Sequence, residues 1–349
     1  MLIGIGGVVT SHEAGMSVPD WPTSYGYNMF LFPVRYWHGG IFYEHTHRLF
    51  ASLVGLLTVV LAVWLWIREP RSWLRWLGVG AVGAVMAQGV LGGLRVIWLK
   101  DDIGIIHATL AQCFFVLVTS IALFTSGHGV KLGRSMQIRC SLSRLRWLAV
   151  GGTFLILMQL ILGATMRHQH AGLAIPDFPL AYGKLWPPTD APFLERVNSR
   201  RMDVEQFKPI TSSQIILQMA HRLVALSILL VVGGVAWKAR RNLGASSLTA
   251  KLALAWSGIV CLQAAMGAAT VWSNKAADVA TAHVLLGSLS LSAGAVLCAG
   301  LVASPQNCSG VKDNPENATF GNQNPHNQRL DKPQQEHLAD HDCATTGRT

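Results

Sequence analysis

The sequence predicts an all-α integral membrane protein, a duplicated four-helix bundle of eight helices in which the first helix is truncated. Three observations predict it: a shortage of charge, a series of long apolar stretches and an internal repeat. Of 349 residues, 51% are hydrophobic and only 13% are charged, whereas soluble domains carry about 25% charged residues. Mean hydropathy is +0.36. This composition argues against a soluble enzyme, a disordered chain or a nucleic-acid-binding protein.

Seven apolar stretches are long enough to cross a membrane as helices, which takes about 20 residues. They are residues 47–67, 76–97, 103–125, 147–166, 213–237, 249–272 and 279–303. Residues 1–10 are apolar but too short to cross. From Ser304 onward the chain is rich in Asn, Gln, Asp and Pro, a composition that predicts a disordered tail.

The distribution of charge predicts which loops face the cytoplasm. Loops 68–75, 127–146 and 238–251 together carry twelve Lys or Arg and one acid, Glu69. The alternate loops carry nine basic and ten acidic residues. Cytoplasmic loops are enriched in Lys and Arg, so the first set, and with it the C-terminal tail, is placed in the cytoplasm. The net charge of +10 therefore reflects topology and indicates no nucleic-acid partner.

The two halves of the chain repeat one another. GGVVTSHEAGMSVPDWPTSYG (6–26) aligns with GATMRHQHAGLAIPDFPLAYG (163–183) at an offset of 157, EHTHRL (44–49) with QMAHRL (218–223), and QGVLGGLRV (88–96) with QAAMGAATV (263–271). The predicted domains are 1–126 (first half), 127–146 (cytoplasmic linker), 147–303 (second half) and 304–349 (tail). An even number of helices in each half gives both halves the same orientation.

The repeat also predicts that the first helix is only half-length. Met1 aligns with Met158, whereas the corresponding helix of the second half begins near Trp147. Two explanations remain open: a start codon assigned too late, or a helix that is short by nature.

One histidine lies at the outer end of the second and fourth helix of each half: His47, His107, His221 and His283. Polar side chains inside a membrane are costly and by default functional. Two imidazoles facing each other across a bundle are the usual axial ligands of a b-type haem, whereas zinc and copper sites take three or four ligands. The pattern predicts two bis-histidine haem sites, one per half, in which these four residues bind iron.

Residues next to these histidines extend the prediction. Arg48 and Arg222 follow His47 and His221 and are suited to pair with haem propionates, or else to snorkel at a helix end. Glu44 lies on the same helix face as His47, while the second half has Gln218 at that position. A carboxylate can move a proton or stabilise a cation where an amide cannot, so Glu44 is the candidate catalytic residue. The alternative is a Glu stabilised by the helix dipole.

Other histidines and the cysteines are weaker candidates. His45 is expected to point away from His47 onto the outer surface. The outer-loop and tail histidines are expected to be peripheral or inert: His12, His38, His168, His170, His326, His337 and His341. Six cysteines show no CxxC pair, which argues against a metal cluster or a disulfide framework.

On these motifs the chain resembles the haem A synthase family over residues 1–303. The resemblance implies an oxidoreductase that converts the C8 methyl of haem O to a formyl group, giving haem A for cytochrome oxidase. It implies that His47 and His107 hold the substrate or product haem with Glu44 catalytic, and that His221 and His283 hold haem b. The cysteine pair that some members have in the first outer loop is absent here.

The resemblance also implies partners and a location. Haem O would come from a haem O synthase (a protohaem farnesyltransferase), the product would go to cytochrome oxidase assembly, and the protein would lie in the bacterial plasma membrane among lipids, with a homo-oligomer possible. Two other classes remain open from the residues alone: a non-catalytic di-haem b-type electron carrier and a transporter with parallel repeats.

Overall fold

A computed structural model describes residues 1–127, 143–201 and 209–302, and these residues form nine α-helices and three short 3₁₀ segments with no strand. The helices are α1 (Leu2–Ser11), α2 (Gly39–Arg68), α3 (Ser72–Trp98), α4 (Asp101–Thr125), α5 (Ser143–His168), α6 (Ala191–Arg201), α7 (Ser212–Leu243), α8 (Leu248–Trp272) and α9 (Ala277–Val302). The 3₁₀ segments are Met29–Leu31, Val34–Tyr36 and Ala171–Leu173.

Local sequence explains where several helices begin. Thr211 caps α7 through a capping box with Gln214, and Ser247 caps α8 by accepting a hydrogen bond from the Ala250 N–H; these bonds satisfy N–H groups that the first helical turn leaves without partners. Asp101 and Asp102 lie in the first turn of α4, where negative charge is favoured by the helix dipole.

Seven of the helices are long and apolar enough to span a membrane: α2, α3, α4, α5, α7, α8 and α9. Their outward surfaces carry large exposed apolar side chains, as a lipid environment allows. Exposed tryptophans lie at both ends of the helices: Trp64, Trp66, Trp73, Trp76, Trp147 and Trp237 at the predicted cytoplasmic end, and Trp21, Trp98, Trp186 and Trp272 at the other. Tryptophan is enriched at the level of lipid headgroups. The predicted multi-pass all-α membrane protein is therefore confirmed.

Within the first half, α3 packs against both α2 and α4; within the second, α7 packs against α5 and α8, and α9 against α5 and α8. The two halves meet where α1 contacts α9, α4 contacts α5, and α4 contacts α9. The larger core surrounds Trp256, which is 1% exposed and donates from its indole N–H to the Ser290 carbonyl. A smaller core in the first half centres on Leu65, Ala81 and Ile121.

Two parts of the sequence prediction need adjustment. The short helix α6 and the three 3₁₀ segments lie in loops where no element was expected, and α2 begins at Gly39, eight residues before the predicted span, so His47 lies in the third turn of its helix. The domain boundaries stay a prediction. Most of the predicted linker and the tail from residue 304 lie outside the described residues.

Candidate active site

Each half carries a loop with the same hydrogen-bond pattern after its first helix. In the first half the Asp20 carboxylate accepts from the backbone N–H of Tyr25 and Gly26 at 2.7 and 2.8 Å. In the second half Asp177 accepts from Tyr182 and Gly183 at the same two distances. The repeated motif therefore forms the same hydrogen-bonded loop twice. We call these two segments (residues 15–27 and 172–184) the Asp loops.

The Asp20 carboxyl, which lies in a loop outside the spanning helices, has its pKa shifted downward. Burial alone would raise its pKa, but hydrogen bonds from the Gly26 N–H, the Thr23 hydroxyl and the Tyr25 N–H outweigh that effect. These bonds favour the ionised carboxylate, so the first Asp loop is held together by a charge.

A side chain on α2 in the first half, and on α7 in the second half, binds the Asp loop of its own half. Glu44 Oε2 accepts from the Val18 N–H at 2.9 Å, and Gln218 Oε1 accepts from the Ile175 N–H at 2.7 Å. Gln218 also donates through Nε2 to the Ile175 carbonyl at 3.2 Å. Both side chains are buried, with exposures of 4% and 2%.

The arginine four residues later holds the same loop. Arg48 donates to the carbonyls of Val18, Asp20 and Thr23 and pairs with Glu44 at 2.7 Å. Arg222 donates to the carbonyls of Asp177 and Leu180, and its guanidinium lies 5.4 Å from the centre of the Phe178 ring. In this structure both arginines donate hydrogen bonds to the Asp loops. Their predicted contact with haem propionates stays a prediction.

Each of the four histidines faces a glycine on a neighbouring helix. A Cβ at Gly6 would lie 3.1 Å from Cε1 of His47, and one at Gly92 would lie 3.4 Å from Cε1 of His107. In the second half the pairs are Gly163 with His221 at 3.3 Å and Gly267 with His283 at 3.1 Å. A larger side chain would crowd these rings, so the glycines keep space open around the imidazoles.

The structure brings the four rings together as two pairs, one in each half. His47 and His107 are close enough for an electrostatic interaction, and so are His221 and His283. Nδ1 is buried without a hydrogen-bond partner in His47 and His221. The His107 side chain interacts with the Gln88 backbone, and Nδ1 of His283 lies 3.1 Å from the Gln263 carbonyl. Buried polar atoms normally have partners, so unpartnered imidazole nitrogens in facing pairs fit the axial ligation of a haem.

A metal site that needs three or more protein ligands has no matching cluster of side chains in the described ranges. Across the described ranges, 1–127, 143–201 and 209–302, no group of three or more His, Cys, Asp or Glu side chains is placed to hold a metal ion. Zinc in proteins is usually held by four ligands, of which catalytic sites draw three from the protein. Paired imidazoles are thus the donor set that these parts of the chain offer.

Comparison with known proteins gives the family. The sequence profile described as "Cytochrome oxidase assembly protein" matches residues 27–294. The chain belongs to this family. Members most similar to it include the "Heme A synthase" of Lysinibacillus sphaericus, 26% identical over 83% of this chain and 87% of that protein, and that of Symbiobacterium thermophilum, 27% identical over 77% and 81%. A third, from Beijerinckia indica, is 29% identical over 66% of this chain and 62% of its own length.

The resemblance to the haem A synthase family is therefore confirmed, and with it the assignment to a family of oxidoreductases. In this member of the family, two predictions about histidines are wrong. His45 is fully buried rather than on the outer surface: it bonds to the Ser24 hydroxyl at 3.2 Å and packs against Phe32 and Trp37. The loop before α2 folds over this helix face, which sequence spacing does not reveal.

His168 is not a loop residue. It ends α5, its side chain is 7% exposed, and its ring lies directly against Gly104 on α4, so it packs where the two halves meet. The other outer histidines are exposed: His12 stacks on Tyr43 at 4.3 Å, and His170 lies 3.8 Å from Glu13. The tail histidines lie outside the described residues.

Sequence reasoning also passed over two arginines. Arg95 and Arg167 lie in the last turn of α3 and α5, near the histidine pairs, and in each the Nε is buried without a partner. In the sequence, each of them is a basic residue at or just inside the outer end of an apolar stretch.

Proposed function

We propose that this chain is a haem A synthase, which oxidises the C8 methyl of haem O to a formyl group and so produces haem A. One observation carries the proposal: two imidazole pairs lie against glycines in matching halves of the bundle, and three residues before the first histidine of each pair the first half has Glu44 where the second half has Gln218. Membership of the family and the similarity to named haem A synthases support the same activity.

The two pairs are proposed to take different macrocycles. His47 and His107 hold the substrate haem O and the product haem A, and His221 and His283 hold a resident haem b. Haem b, when bound, supplies one-electron chemistry at its iron. The imidazoles would bind the iron and orient the macrocycle, and the glycines opposite them let each imidazole pack closely against the neighbouring helix.

Glu44 is the proposed catalytic residue. Its carboxylate is fixed by the Val18 N–H and Arg48 and lies three residues before His47, on the same helix face. A fixed negative charge there stabilises positive charge that develops at the reacting edge of the substrate, or accepts a proton from it. Arg48 keeps the carboxylate oriented.

Arg48 and Arg222 are also proposed to contact the haem propionates, as expected from the sequence. Their bonds to the carbonyls of the Asp loops place each guanidinium beneath a loop at the outer end of the bundle. In this role they link the loop and the bound macrocycle, so that the loop closes each site from the aqueous side.

The surroundings follow from this activity. We place the protein in the cell membrane with the C-terminal tail in the cytoplasm. Its substrate comes from a haem O synthase, its product goes to cytochrome oxidase assembly, and lipid surrounds the helices. Self-association into a homo-oligomer is a further proposal.

Pigment analysis tests the function. The protein is purified in detergent from cells that also make haem O, and its haems are extracted and separated by chromatography. We expect haem b together with formyl or hydroxymethyl haem, and a His47→Ala variant should lose the modified haems. Haem b alone in the unmodified protein would indicate an electron carrier, and no pigment at all would indicate a transporter; either result overturns the proposal.

A further inference from the structure

Two arginines lie inside the ends of spanning helices, close to the imidazole pairs and without a full set of partners. Arg95 is near His47 and His107, and Arg167 is near His283. Cations inside transmembrane segments are rare and mark functional sites. A buried guanidinium loses its hydration, and a negatively charged partner is needed to offset that cost in free energy.

Their positions follow the glycines that face the histidines. Arg95 comes three residues after Gly92, and Arg167 comes four residues after Gly163. On a helix these spacings place each arginine on the glycine's face, one turn nearer the outer end. Each arginine therefore lies beside the space that a glycine keeps open next to an imidazole.

The repeat shows that this placement is specific to each half. Arg95 aligns with Thr270, and Arg167 aligns with Thr10. Each half thus has one arginine and one threonine at the two positions that lie a turn outward from its glycines. Besides Arg48 and Arg222, each imidazole pair thus has one arginine a turn outward from a glycine, although these two arginines lie on different helices of the repeat.

Both guanidiniums have N–H donors that lack a hydrogen-bond partner in this structure. Arg95 Nη2 lies 3.8 Å from Asp101 Oδ1, and the Asp101 side chain is 49% exposed, so that ion pair is weak. Arg167 donates to the Gly7 carbonyl and the Ser11 hydroxyl at 2.5 Å each, and among the described residues it has no carboxylate within 4.0 Å. The Nε atoms of both arginines are buried and unpartnered.

Arg48 and Arg222 differ from them at Nε. Both Nη atoms of Arg48 already donate to three loop carbonyls and to Glu44. Arg222 donates to two carbonyls, as many bonds as Arg167 makes, and its guanidinium also lies over the Phe178 ring. Among the described residues, the arginine donors that are buried without a partner are the Nε atoms of Arg95 and Arg167.

We propose that Arg95 binds a propionate of the macrocycle held by His47 and His107, and that Arg167 binds a propionate of the one held by His221 and His283. The inference rests on the proposed function, which puts a haem in each half. Arg95 already feels the charges of Asp101 and Glu44, but neither carboxylate forms a close, bidentate pair with it. A propionate supplies such a partner, because guanidinium binds carboxylate through parallel hydrogen bonds. Each macrocycle is then held at its iron by the histidines and at its propionate-bearing edge by the arginine.

The test compares protohaem with its dimethyl ester, which has the same ring and iron but no charged carboxylate. Both are titrated into haem-free full-length protein in detergent, with the bis-imidazole absorption spectrum as the readout. A His47→Ala background isolates the second site, and a His221→Ala background isolates the first. We expect each site to bind the free acid about tenfold or more tightly than the ester.

Arg167→Gln should lower that preference several-fold at the second site, where the proposed Arg222 contact remains, and leave it unchanged at the first site. Arg95→Gln should do the reverse, with the proposed Arg48 contact remaining. Lys at either position keeps the charge and should retain most of the preference. The matched control is Arg71→Gln, which removes an arginine paired with Glu69 at the other end of the bundle and should change nothing. A second readout is the haem b midpoint potential, which should fall in Arg167→Gln because a nearby cation disfavours oxidised iron.

The outcomes separate this inference from the proposed function. If neither macrocycle gives a bis-imidazole spectrum in the unmodified protein, the proposed haem sites are wrong. If both bind but the unmodified protein shows no preference for the acid, the arginine assignment is overturned while the haem sites stand. The comparison of acid and ester in the unmodified protein tests the arginine assignment even if a Gln variant fails to fold. An undiminished preference for the acid in folded Arg95→Gln and Arg167→Gln overturns the arginine assignment equally.

Discussion

The two halves hold their Asp loops with nearly the same bonds but with different charge. Glu44 and Gln218 occupy matching positions, each buried, and each accepts a hydrogen bond from a loop N–H. Gln218 adds a donor bond to the Ile175 carbonyl, where Glu44 instead pairs with Arg48. Holding the loop therefore requires only an acceptor, and an amide serves as well as a carboxylate.

This difference separates a structural role from a chemical one. Because the second half fastens its loop without a charge, the charge on Glu44 is not needed for that purpose. A buried carboxylate costs free energy through lost hydration, and Arg48 offsets that cost. The arrangement is what is expected if the first half needs a negative charge for chemistry and the second half only stores electrons.

A second difference lies in the outer loops themselves. After its Asp loop the first half forms an open aromatic cleft of about 330 Å³, lined by Tyr25, Tyr27, Phe32, Tyr36, His38 and Ile41. The second half instead has α6, a mostly polar helix whose Phe193 packs edge-on against Tyr182 at 5.1 Å. The halves thus share the machinery around the imidazoles and diverge in what covers it.

The sharpest way to break the comparison is to remove one histidine from either half. His221→Ala or His283→Ala should reduce the haem b absorption to near zero while the first half still binds haem. His47→Ala or His107→Ala should abolish conversion of haem O and spare haem b, since each pair lies on helices of its own half. Bound-pigment spectra are the measurement, because activity should fall in both sets.

His12→Ala is the matched control, since that ring is exposed and stacked on Tyr43, and it should leave both spectra unchanged. If His221→Ala emptied both sites equally in a folded protein, the two-site interpretation would be wrong and one haem would be shared between the halves.

Exchanging the amide and the carboxylate sharpens the comparison further. Glu44→Gln should keep both haems and the folded loop but lower haem A formation by about a hundredfold or more, as measured by chromatography of extracted haems. Gln218→Glu should keep haem b bound, because Arg222 lies four residues on, as Arg48 does from Glu44, and can pair with the new carboxylate. Normal haem A from Glu44→Gln would refute the assignment of Glu44.

Much of this could be read from the sequence because it depends on periodicity and repetition. The spans follow from apolar length, and the pairing of the histidines within each half follows from matched spacing. The burial of His45 could not be read, since it depends on a loop that folds over a helix through contacts of Phe32 and Trp37. The inward position of Arg95 and Arg167 likewise depends on glycines of the same helix and on which helices become neighbours.

The smallest expected effect concerns the Asp loops, where the halves should respond alike. Asp20→Asn and Asp177→Asn each keep one acceptor oxygen and lose one of two bonds to backbone N–H groups, which should cost about 1 kcal/mol at such half-buried sites. The measurement is the midpoint of thermal unfolding in detergent, followed by circular dichroism. Thr10→Val, which removes a bond from a side chain to a carbonyl within α1, is a control expected to change the midpoint less.

Acid should reveal the same bonds in the unmodified protein. Because the pKa of Asp20 is lower in the folded protein than its ordinary value of 3.8, its ionised form contributes stability that is fully present above pH 3.8. That contribution is lost as the pH falls through the lower, folded pKa. Asp20→Asn has no such proton to take up, so its deficit relative to the unmodified protein should shrink below about pH 4. A deficit that stays constant down to pH 3 would show that the carboxylate's charge does not hold the loop.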